Sequence, residues 1–178
     1  VTEQLIMDIK FDPRNTPRPP IGHQVFIRKG IEAILPAIKA WAGPGCGDDE
    51  SLISDLTEAL ENVFEEDGYE LCRYLDKEGW ETDRNLLDIL DDLYGYIDDA
   101  HLEAVVSWCK TADLVYPDVG AMVKVGNITG VVTGRNTAYG TCVVDRVGNK
   151  SPGLYVFNVE DIEVLDELRE GSSTMQSV

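Results

Sequence analysis

A chain of 178 residues with 43% apolar content can bury one medium domain or two small ones, and is too hydrophobic to read as disordered. Its net charge of −18, from 33 acids against 15 bases, argues against direct binding to nucleic acid. No run of eighteen or more apolar residues occurs, so no membrane-spanning helix is expected.

The opening stretch VTEQLIMDIKFDPR mixes polar groups into its apolar run and lacks a basic flank, so a signal peptide is not expected. Residues 1–21 close on DPRNTPRPPI, whose four prolines favour an extended arm over a helix. An acidic helical domain is then expected over 22–116. From Gln24 to Ala42 the apolar residues Ile27, Ile31, Ile34, Leu35, Ile38 and Trp41 recur at spacings of three and four, which predicts a helix that Pro36 kinks or divides. GPGCGDD breaks it, and Asp48 or Asp49 caps the next helix.

That second helix is expected to run to about Asp67, with Gly68 in the left-handed C-terminal position. It buries Leu52, Ile53, Leu56, Leu60, Val63 and Phe64. At about 100° per residue, Glu58, Glu61 and Glu65 fall opposite that face, with Asp55 and Glu66 on its flanks. A short helix over Tyr69–Lys77 closes at Gly79. Thr82 or Asp83 caps another, with Leu86, Leu87, Leu90, Leu93 and Tyr94 inward and Asp88 and Asp92 outward. Gly95 ends or bends it, and Asp98 or Asp99 starts a last helix to about Lys110 that buries Leu102, Val105, Val106 and Cys109. Four to six helices are expected in all.

After Pro117 the periodicity changes from 3.6 to 2. AMVKV, ITGVVTG, TCVVDR, LYVFN and IEVL read as five short strands separated by glycine-rich turns, and VEDIEVL as one tight turn leading into a closing strand. This succession over about 119–165 resembles an SH3-like small barrel, and MVKVGNITGVV is similar to the valine–glycine opening of KOW-type modules. The resemblance implies a five-stranded β-barrel over 117–167. The fold class expected is therefore α+β, an acidic helical domain followed by a small barrel, with 168–178 as a tail.

The four cysteines, Cys46, Cys72, Cys109 and Cys142, are too widely spaced for a short-range metal motif and read as reduced, buried thiols of a cytoplasmic protein. If the protein is phage-encoded, that means the host cytoplasm or the virion. Neither His23 nor His101 belongs to a short motif with Cys, Asp or Glu, and His101 reads as a surface or helix-flank residue. The EF-hand loop needs acids at positions 1, 3 and 12 around a glycine at position 6. Placing Gly68, Gly79 or Gly95 at position 6 puts Val63, Tyr74 or Leu90 at position 1, so no calcium loop is expected. Phosphate-binding glycine motifs do not occur either. No catalytic residue, metal or cofactor is expected, and the protein is read as a non-enzyme.

What stands out is where the charge sits. Residues 48–113 hold 21 acids and four bases, whereas 1–47 carry a small positive excess and 114–178 a net −3. Within residues 85–105 six carboxylates sit among helical leucines with no Lys or Arg. One turn of B-DNA displays roughly twenty phosphates. An acidic helical face could thus offer a nucleic-acid-binding protein, such as a nuclease, a false substrate. Phage-borne inhibitors of restriction and CRISPR enzymes resemble this chain in composition. The partner-binding residues expected are Asp55, Glu58, Glu61, Glu65, Glu66, Asp88, Asp91, Asp92, Asp98 and Asp99. The partner expected is a basic protein, with neither nucleic acid nor membrane bound directly. Three other readings stand beside this one: a phage structural or assembly component, an immunity protein to a basic toxin, and a face that only keeps the protein soluble.

Overall fold

A computed structural model of the chain describes residues 17–63, 67–148 and 153–165. These form two compact units divided between Trp108 and Cys109. The first is helical: α1 Gln24–Ala42, α2 Asp49–Val63, α3 Gly68–Lys77 and α4 Arg84–Cys109. The second is one antiparallel sheet: β1 Met122–Val125, β2 Ile128–Asn136, β3 Thr141–Arg146, β4 Leu154–Asn158 and β5 Glu163–Val164. Of the expected tails, residues 1–16 and 166–178 lie outside the described residues, as does Phe64.

The helical core follows the apolar spacing. Ile27, Ile31, Ile34, Leu35 and Ile38 of α1 are buried, as are Leu52, Ile53, Leu56 and Leu60 of α2, and they join Leu71 and Leu75 of α3 in one cluster with Leu86, Leu90, Leu93 and Ile97 of α4. Pro36 does not divide α1, which is assigned as one helix of 19 residues with the proline on its exposed side. His23 caps it, its Nδ1 accepting the Val25 amide at 3.3 Å. Asp48 caps α2 by accepting the Ser51 amide at 2.8 Å, and Asp67 caps α3 by accepting that of Glu70 at 3.1 Å.

Two expectations about glycine fail here. Gly68 does not end a helix in the left-handed conformation: it opens α3, is buried, and lies so close to α4 that a Cβ would collide with Asp91. Gly95 does not interrupt α4, a single helix of 26 residues. A mid-helix glycine costs about 1 kcal/mol relative to alanine. The buried seam Leu86–Leu90–Leu93–Ile97 runs past it and outweighs that cost. Asp98 and Asp99 therefore lie inside α4 and start nothing. Leu102 is 42% exposed, contrary to expectation, while Val105 and Trp108 are buried.

In the second unit all five expected strands are present, and the tight turn is a 3-10 helix at Val159–Asp161. The strand order is β4-β3-β2-β1-β5. The expected closed barrel is an open sheet among the described residues: β5 contributes two residues and pairs with β1, and β4 pairs there with β3 alone. Val123, Val132, Cys142, Val144 and Val159 form its core, with Val132 opposite Val144 in register. Leu114 and Tyr116 pack against that core, so residues from Cys109 onward go with the sheet.

Candidate partner-binding surface

Every carboxylate expected to meet a partner is exposed where it is described: Asp55, Glu58 and Glu61 on α2, and Asp88, Asp91, Asp92, Asp98 and Asp99 on α4. Glu65 and Glu66 lie outside the described residues. On α4, helical geometry at about 100° per residue gathers the five acids into an arc of about 120°, directly opposite Leu86, Leu90, Leu93 and Ile97. Apolar burial therefore fixes where those charges point.

Three cations of the unit pair with other acids. Arg28 bridges Glu32 at 2.8 Å and Glu50 at 3.0 Å, which holds its guanidinium above the ordinary value. Lys39 pairs with Asp49, and Arg73 with Glu70 at 2.7 Å. These pairs tie α1 to α2 and brace α3. Among the described residues none of the eight carboxylates forms an ion pair.

The structure brings some of the eight together and separates others. Glu58 and Glu61 line one open cavity of about 580 Å³ beside the Arg28–Glu50 pair. Asp55 lines another of about 560 Å³, where it meets Glu81 and two half-buried tryptophans. Trp41 and Trp80 stack there with ring centroids 6.2 Å apart and planes 11° from parallel. Asp83 holds the arrangement: its Oδ1 accepts the Leu86 amide at 2.9 Å as the cap of α4, and the Trp41 Nε1–H at 2.9 Å. The Leu86 amide, with the Trp41 and Asn85 donors behind it, holds the Asp83 carboxyl below its usual 3.8. The sequence reading missed this second cavity. Trp41 and Trp80 stand 39 positions apart, and the only local signal was the glycine-rich Gly43–Gly47 loop that helps to line it.

All four cysteines are free, with Cys72 and Cys142 buried but Cys46 and Cys109 half-exposed, against the expectation that all four would be buried. Burial, reinforced by the negative charges of Asp91 and Asp83, pushes the Cys72 thiol up to about 11. His101 sits on α4 with Nε2 2.9 Å from the Pro19 carbonyl and its ring against Phe26. No cluster of three or more metal-ligating side chains occurs among the described residues. No described helix is long and apolar enough to cross a membrane. On the sheet, Arg135 lies 3.4 Å from Asp118, and Lys150 is outside the described residues. No family, curated protein or solved structure matches the chain.

Proposed function

We propose that this is a non-enzymatic binding protein whose acidic helical surface engages a basic partner that itself handles nucleic acid. One observation carries the reading: among the described residues, eight exposed carboxylates stand without ion pairs while the helical unit's Arg28, Lys39 and Arg73 pair with other acids. A face that served only solubility would more often interleave the two signs. The spacing supports the nucleic-acid aspect. Asp88 to Asp99 spans about 16 Å of helix axis at 1.5 Å per residue. Five successive phosphates of one B-DNA strand cover about 14 Å. The stripe on α4 thus approximates the charge density of a single strand, and the α2 acids add to it.

The SH3-like character of the second unit belongs to the same proposal. Its strand order, and the 3-10 turn between β4 and β5, support it.

The test is affinity capture from cells of the native source at low and high salt, run with the wild type and with Glu58, Glu61, Asp88 and Asp92 all changed to lysine. A basic nuclease or DNA-binding protein held by the wild type, released by salt and ignored by the variant supports the reading. Capture of the same proteins by both chains refutes it.

A further inference from the structure

We infer that the cavity lined by Trp41 and Trp80 is a receptor for an arginine side chain of the basic partner, an inference that rests on the partner reading above. The cavity combines three features that suit one ligand chemistry. The parallel indoles Trp41 and Trp80 both contribute to its wall, and indole is the aromatic ring that attracts a cation best. Asp55 and Glu81 line the same space, are exposed, and form no ion pair among the described residues. No Lys or Arg lines it among the described residues.

Guanidinium suits the site better than ammonium. It is planar and weakly hydrated, stacks on aromatic faces, and presents a fork of donors to carboxylates. The chain already uses this pairing internally, where the Arg18 guanidinium sits 5.0 Å from the centre of the Trp108 ring. Asp83 contributes by position. It grips the Trp41 Nε1–H edge, which fixes that ring, and adds negative charge behind it. The Gly43–Gly47 loop forms part of the wall with little side-chain bulk, leaving about 560 Å³ open, enough for an arginine side chain.

The test titrates the full-length protein with acetyl-tetra-arginine amide and, separately, with acetyl-tetra-lysine amide, following the three tryptophan indole N–H resonances. The Trp41 and Trp80 resonances are expected to shift saturably while that of Trp108, 5% exposed, stays in place. Tetra-arginine is expected to bind about fivefold more tightly than tetra-lysine of equal charge. The Asp55→Asn/Glu81→Gln variant changes two exposed side chains, keeps the fold, and should weaken tetra-arginine binding several-fold. Tetra-arginine binding that leaves both indoles unmoved, equal affinity for the two peptides, or indifference to the double variant would each overturn the inference. The lysine-reversal capture experiment separates the two ideas. If the partner complex depends on Asp88 and Asp92 while the indoles ignore arginine, the receptor fails and the acidic face stands. If the indoles respond while reversal leaves the complex intact, the face fails and the cavity remains a guanidinium site.

Discussion

Gly30 and Gly95 respond in opposite senses to the same added methyl group. Gly95 is exposed in the middle of α4 with open space where a Cβ would project, so Gly95→Ala removes a backbone-entropy cost and stabilises the protein by about 0.5–1 kcal/mol. Gly30 is buried where α1 meets α4, and a Cβ there collides with Ile97 and presses on Leu93. Gly30→Ala overpacks that contact and should cost about 1–3 kcal/mol. Urea denaturation midpoints of the two variants check both. Accessibility sorts the cysteines in the same way: with a thiol reagent at neutral pH, half-exposed Cys46 and Cys109 react first, and Cys72 and Cys142 only on unfolding. Rapid labelling of Cys72 in the native state would contradict its burial and its thiol value of about 11.

The four helices hang on their caps, and the cap of α4 has a pH signature. Asp83 has a folded value below the ordinary 3.8, so its contribution is complete above that value and is lost as pH falls through the folded one. Asp83→Ala should therefore lower the melting temperature at neutral pH, and the gap from wild type should shrink as the pH is taken below 3.8. Thermal melts at neutral and acid pH test this; a gap that persists in acid would place the effect in packing and not in charge. Much of this level was legible in the sequence. Buried residues recurring at three and four gave α1 its ends at Gln24 and Ala42, and alternation gave all five strands. Glycine was misjudged because its role depends on neighbours far along the chain. At Gly68 the neighbour is Asp91, and at Gly95 it is the seam on the opposite side of the helix. His23 as a cap was missed because imidazole is not among the usual capping side chains.

Across the whole chain, charge was legible where partnership was not. Counting acids places the excess within residues 48–113 without coordinates, and helical periodicity turns Asp88 and Asp92 outward. That Arg28 would go to Glu50, 22 positions away, and leave the α4 acids without it is a tertiary fact, as is the stacking of Trp41 on Trp80. Because the displayed carboxylates repel one another in the free protein, added salt should raise its melting temperature. Changing Glu58, Glu61, Asp88 and Asp92 to lysine should leave the free protein as stable or make it more stable, while weakening the partner complex. Unfolding of that variant in thermal melts would mean those four side chains support the fold itself.

Strand β4 gives salt a second, opposing consequence. It is an edge of the sheet, GLYVFN around it holds no charged residue, and Leu154 and Val156 are 71% and 66% exposed. An uncharged apolar edge is a template for strand addition by another molecule. In dilute buffer the negative charge of the chains keeps molecules apart, so electrostatic repulsion guards an edge strand whose own residues carry no charge. Screening that repulsion steadies each molecule and at the same time removes the barrier between molecules. The protein should therefore have an optimum ionic strength for storage and concentration, set by the crossing of thermal stability and colloidal stability. Light scattering across a salt series should show particle growth starting while the melting temperature is still rising, and Val156→Lys should move that onset to higher salt.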